Sequence, residues 1–122
     1  MITLKKPCIC ALAFLASLSL SACRSAFVQT AIVNHTGGEV QLIEVDYPSA
    51  SFGTQQIANS ATYHYRFKIL DSGNVKISYT GADNKVYSVT GPNLTQGQQG
   101  TLAIVLDGNG KVTWTPKLTP SN

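Results

Sequence analysis

Between Ala61 and Leu70 the chain alternates without a slip. Tyr63, Tyr65, Phe67 and Ile69 fall on one side, and Thr62, His64, Arg66 and Lys68 on the other. A period of two is the signature of an extended strand with one buried face, because a helix would scatter the same residues around its axis. After the turn residues Asp71-Ser72-Gly73-Asn74, the alternation resumes with Val75, Ile77 and Tyr79 against Lys76, Ser78 and Thr80. A strand with an aromatic inner face cannot bury that face alone. It requires a second layer of secondary structure.

The flanking sequence supplies one. Ala26 to Val33 is strand-like and ends at the turn cluster Asn34-His35-Thr36-Gly37-Gly38. Glu39 to Tyr47 alternates with Val40 and Leu42 on one side and Gln41, Ile43, Val45 and Tyr47 on the other, which predicts a strand central to the packing. Pro48 ends that ladder, and Ser49 to Gly53 reads as a loop or short edge strand, with Gln55 to Ala58 another extended piece. Gly81-Ala82-Asp83-Asn84 is a hairpin turn leading into Lys85 to Thr90. Gly91 to Gly100 reads as a polar loop, Thr101 to Leu106 as the most apolar strand, and Lys111 to Thr115 as the last, before Pro116 and Pro120. Seven or eight short strands, with turns about every ten residues and no helical period, predict an all-β antiparallel β-sandwich. An immunoglobulin-like arrangement is the expected version, and a small β-barrel is the alternative.

The segment before residue 23 has a different character. Lys5 and Lys6 form a positive end, and Cys8 to Leu20 is an uncharged run of 13 residues rich in Leu and Ala. That is the length of a signal segment and short of the roughly 20 residues that a helical span requires. Leu20-Ser21-Ala22-Cys23 closes it. These four residues resemble the lipobox of bacterial lipoproteins, in which a Leu, two small residues and a Cys occur in that order.

The resemblance implies a signal peptide over residues 1–22, cleavage between Ala22 and Cys23, and a diacylglyceryl group on the Cys23 sulfur. It also implies an acylated new amine and membrane attachment by several chains, each adding about 0.8 kcal/mol per buried CH₂. Arg24 stands where an Asp retains enteric lipoproteins at the inner membrane, so the likeness implies the outer membrane, facing the periplasm, in a Gram-negative source. Residues 23–25 are then the lipidated terminus and a short tether, 26–118 a single domain, and 119–122 a frayed end. The domain itself is similar to small β-rich domains of envelope lipoproteins, and that likeness carries no functional residues.

Charge and cysteine usage narrow the function. Without Lys5 and Lys6 the nine basic side chains fall to seven, against six acidic, and a nearly neutral domain has no electrostatic basis for binding nucleic acid. Of the three cysteines, Cys8 and Cys10 lie in the leader, so the domain after residue 22 holds Cys23 alone and no intrachain disulfide. Its two histidines, His35 and His64, have no ligand-spaced neighbours; His64 with Glu44 or Asp46 is the one combination to consider for a metal. No G-x-S-x-G elbow occurs, and Asp107-Gly108-Asn109-Gly110-Lys111 starts like a calcium loop but fails at Lys111 and Leu118. Asn34-His35-Thr36 and Asn93-Leu94-Thr95 match the glycosylation sequon, a pathway usually absent from bacterial envelopes.

These readings give no catalytic residue, no metal site and no cofactor. The expectation is a non-catalytic, lipid-anchored envelope protein that acts by binding or by structure, with an envelope protein or glycan as partner. An inhibitor or accessory subunit using Gly91 to Gly100 is the alternative, and a hydrolase or metal enzyme the last. His64, Arg66 and Lys68 form the candidate contact stripe, and Tyr47, Pro48 and Phe52 a second patch.

Overall fold

The computed structural model describes residues 26–120. The leader, the cleavage and lipidation positions Ala22 and Cys23, Arg24, the tether 23–25 and residues 121–122 lie outside the described residues. Eight strands follow in order: β1 (Val28–His35), β2 (Val40–Tyr47), β3 (Ala50–Ile57), β4 (Thr62–Phe67), β5 (Gly73–Thr80), β6 (Val86–Leu94), β7 (Gln98–Asp107) and β8 (Val112–Pro120). They form two four-stranded sheets, β4-β1-β7-β8 and β3-β2-β5-β6. Every pair is antiparallel except β1 with β7, which runs parallel from Val28 opposite Gly100 to His35 opposite Asp107. The sheets are open, so the molecule is a β-sandwich and not a barrel. In the immunoglobulin constant-type order the first two strands share a sheet. Here they lie in opposite sheets, so the likeness is one of architecture rather than of strand order.

Alternation builds the core. Val28, Thr30, Ile32 and Asn34 of β1 point inward with Phe67 of β4 and Leu102, Ile104 and Leu106 of β7. Val40, Ile43 and Val45 of β2, Phe52 and Ile57 of β3, Val75, Ile77 and Tyr79 of β5 and Leu94 of β6 face them from the second sheet. The two polar members are satisfied. Thr30 donates to the Leu102 carbonyl at 2.6 Å, and the Asn34 amide bonds the carbonyls of Gly38 at 2.8 Å and Ile57 at 2.9 Å.

Aromatic side chains seal both open edges between the sheets. At the β3–β4 edge, Phe52 stacks on Tyr65 at 4.3 Å, and Tyr47 packs against Phe67 at 4.5 Å. At the β6–β8 edge, Trp114 lies so close over Gly91 that a Cβ there would stand 2.6 Å from the indole.

Several expectations change. A bulge in β2, with Leu42 at φ 52, resets the alternation. Val40 therefore shares the inner face with Ile43 and Val45, and Leu42 is 63% exposed. The stretch after Pro48, expected as a loop or short edge strand with a separate extended piece at Gln55 to Ala58, is one continuous edge strand, β3. The ladder of β4 stops at Phe67, and Tyr65, expected in the core, is 42% exposed because the strand lies at a sheet edge. Gly91 to Gly100 is no loop. β6 runs through Pro92 to Leu94, three residues turn, and β7 begins at Gln98. β8 likewise passes through Pro116 to Pro120, beyond the boundary expected at 118. All three prolines sit on edge strands, where a missing N–H can face solvent and costs no ladder bond.

Candidate functional site

The register divides the sandwich into two unlike ends. β1 enters at Val28 and leaves at His35, about 23 Å further on at the usual strand rise. At its entry end lie the close of β4, the start of β7 and the close of β8, because Val28 pairs with Phe67 and Gly100, and Gly100 with Leu118. At its exit end gather the β1–β2, β5–β6 and β7–β8 turns.

Those three turns enclose a cleft of about 280 Å³. Thr36, Gly37 and Gly38 form one wall, Gly81 to Asp83 the second and Asp107 to Gly110 the third, with Tyr79 and Tyr87 at the base. The sequence permits this closure at Gly110, whose φ of +75° suits a residue without Cβ and against which the Tyr87 ring packs. Asn109 takes the adjoining left-handed position at φ 63, a role asparagine fills more readily than most residues. This is the segment that begins like a calcium loop, and it is a single 3-10 turn, Gly108–Gly110.

The chemistry of the cleft is acidic and phenolic. Tyr87 donates its hydroxyl to the Asp83 carboxylate, which also accepts from the Lys85 backbone N–H at 3.0 Å. The hydrogen bond from Tyr87 is the main reason that the Asp83 carboxyl lies below its usual range, with the Lys85 N–H next. The same bond raises Tyr87. Tyr79, stacked 5.4 Å from Tyr87, is raised by burial first and then by the charges of Asp83 and Asp107. Its hydroxyl is buried and has no hydrogen-bond partner among the described residues. The cleft thus offers acceptors and has no cation in its lining. Nothing in the alternation of β5 or β6 marks it; only the turn residues at 36–38, 81–84 and 107–110 are legible, and their convergence comes from the sheet order.

The stripe His64, Arg66 and Lys68 lies elsewhere. His64 and Arg66 project outward from β4, opposite Ala31 and Gln29 of β1. Beyond the end of β4, Lys68 turns to the ring of Phe27, 5.0 Å from its centroid, and the Arg66 guanidinium covers the same ring at 4.2 Å. The stripe therefore sits on the first sheet and runs to the entry end. Phe52 of the second patch is a core residue at 6% exposure, with Tyr47 half-buried beside it, so that patch closes the sandwich edge.

His64 does not meet Glu44 or Asp46, because these project from β2 on the outer face of the other sheet. Glu44 is raised by its hydrogen bond to Asp46, then by repulsion from the same carboxylate. Among the described residues no three His, Cys, Asp or Glu side chains gather closely enough to hold a metal ion. Asn34 of the first sequon is fully buried with its amide nitrogen engaged, so a glycan has no access to it in the folded domain; Asn93 is exposed on β6. No helix among the described residues is long and apolar enough to cross a membrane. Compared with known proteins, the chain matches no protein-family model and no curated sequence.

Proposed function

We propose that the protein is a lipid-anchored, non-catalytic binding domain of the bacterial envelope, held through Cys23 and presenting the three-turn cleft to an envelope partner. The observation that carries this reading is the opposition of the two ends. Chain from residue 23 joins the fold where β1 begins, and the cleft lies at the other end of the same strand. Three residues separate Cys23 from Phe27, so four Cα steps span about 14 Å when extended. A lipid on Cys23 would keep the entry end near the headgroups and hold the cleft about 23 Å further out. Arg24, in place of the Asp that retains enteric lipoproteins at the inner membrane, favours the outer membrane with the domain in the periplasm.

A rigid sandwich that offers contacts through turns at one end is a common scaffold for recognition. Acceptors at the cleft, Asp83 and Asp107 above all, suit a partner that brings a lysine or arginine side chain. The test is a pull-down from detergent-solubilised envelopes with the wild-type chain, Cys23→Ser, and the double variant Asp83→Asn/Asp107→Asn. A stoichiometric partner retained by wild type and lost with the cleft variant supports the reading. Capture that is indifferent to the cleft removes the cleft from it, and a wild-type protein whose intact mass lacks the lipid overturns the anchor.

A further inference from the structure

The entry end carries a cluster that the cleft does not use. Counting across the first sheet, Arg66 of β4 pairs with Gln29 of β1, Gln29 with Thr101 of β7, and Thr101 with Lys117 of β8. All four are exposed, so they form one row across the outer face, about 14 Å wide at the usual strand spacing. Lys68 adds a third cation just beyond, and Arg66 and Lys68 both lie against the half-buried ring of Phe27. A groove of about 690 Å³ opens there, lined by Phe27 and Arg66, the amides of Gln29 and Gln99 and the hydroxyls of Thr101 and Thr119. Each of its polar side chains can donate a hydrogen bond, the Arg66 guanidinium several, which suits phosphate oxygens.

No carboxylate stands in this row, although Asp71 follows three residues after Lys68 in the connection that leaves β4 at the same end. Asp107 is the one acidic residue in the four strands of the first sheet, and it stands at the exit end beside His35. Glu44 and Asp46 belong to the second sheet, Glu39 and Asp83 to the exit-end turns, and Asp71 to the connection that leaves for the second sheet. The domain is nearly neutral as a whole, so its cations are segregated rather than abundant.

From this placement we infer that Arg66, Lys68 and Lys117, with the Phe27 ring, form a docking face for an anionic phospholipid surface, so that the domain lies with this corner against the headgroups. The inference deepens the anchored reading above and rests on it for the place where the membrane would be. The face suits that occupant in charge and in its donors to phosphate, and the chain leading to Cys23 emerges beside Phe27 with too few residues to stand the domain off. A basic residue near an anionic bilayer strengthens binding about fivefold, so three give about a hundredfold.

The test separates the docking face from the anchor. Among the described residues, the eight strands and the core all lie within 26–120, so a chain starting at Arg24 contains each of them. That lipid-free chain is sedimented with vesicles of phosphatidylcholine alone or mixed with phosphatidylglycerol. The inference expects binding to the mixed vesicles only and its loss at about 0.5 M salt, where screening is short-ranged. Lys117→Gln, which does not touch Phe27, should weaken binding about fivefold, and the triple Arg66→Gln/Lys68→Gln/Lys117→Gln about a hundredfold, with Lys76→Gln on the other sheet unchanged. Equal binding to both vesicles, an undiminished triple variant, or binding to isolated peptidoglycan but not to vesicles overturns it. Intact mass of the membrane-extracted protein reports the lipid on Cys23 independently.

Discussion

Asn34 holds two turns of the exit end together with one side chain. Its amide nitrogen bonds the carbonyls of Gly38, Ile57 and Ala58, and its carbonyl oxygen accepts from the N–H of Thr36 at 3.0 Å and the hydroxyl of Thr36 at 2.7 Å. Substitution by alanine leaves the buried Ile57 carbonyl without its donor and unties the Thr36 turn, and Asn34→Ala should cost about 2–4 kcal/mol, read as a lower urea midpoint with an unchanged slope. The sequence places Asn34 in a turn, which is half of its role. Its burial follows from the phase of β1, where Val28, Thr30, Ile32 and Asn34 share the inward side, once the strand is extended two residues past Val33. Asp83 supports a second prediction. Its depressed carboxyl contributes stability that is present above the ordinary aspartate value of 3.8 and lost as pH falls through the lower, folded value. Because the hydroxyl of Tyr87 is the leading cause, Tyr87→Phe should return the Asp83 titration, followed by carboxyl carbon shifts, towards 3.8.

At the scale of elements, sequence reading locates β1 and β5 to within about two residues, whereas the alternation of Ala61 to Leu70 outruns β4, whose ladder stops at Phe67. β2 defeats it because one residue in a left-handed conformation reverses the phase of everything after it. A non-glycine residue in that region costs roughly 1–2 kcal/mol, and the Leu42 side chain is largely exposed, so it recovers little by packing. Leu42→Gly should therefore raise stability by up to about 1 kcal/mol, measured by thermal unfolding, the gain reduced by the entropy of the glycine. The far ends of β6 and β8, beyond the expected Thr90 and Thr115, escape sequence reading for a different reason. Proline and glycine read as breakers, but on edge strands Pro92 and Pro116 break nothing, and Gly91 is there to receive Trp114. Gly91→Ala places a methyl against a rigid indole and should cost about 1–3 kcal/mol, with a shift in tryptophan fluorescence that marks the displaced ring.

Across the whole molecule, the two-sheet architecture was legible from strand count and turn spacing alone, and the strand order was not. That order depends on non-local pairings, β1 with β4 and β7 and β2 with β5, which leave no local mark. The candidate site shares this limit. His64, Arg66 and Lys68 could be placed on one face because they are neighbours in sequence, whereas Lys117 joins them only through the register of three strand pairs. The cleft likewise draws its walls from three turns spread over some 75 residues.

The parallel pairing of β1 with β7 has a mechanical consequence. β1 is an inner strand, hydrogen-bonded on both sides, and a membrane tether would pull it along its own axis. If the opposing load enters at the exit end, the ladders on either side are sheared together, with every bond sharing the force. Extension between the two chain ends differs, since both lie at the entry end and β8, an edge strand, can be peeled from β7 one bond at a time. Optical-trap handles at residues 24 and 109 should therefore register a higher unfolding force than handles at residues 24 and 120. A domain built this way would resist a pull in the direction that such a tether imposes, and yield in the one that it does not.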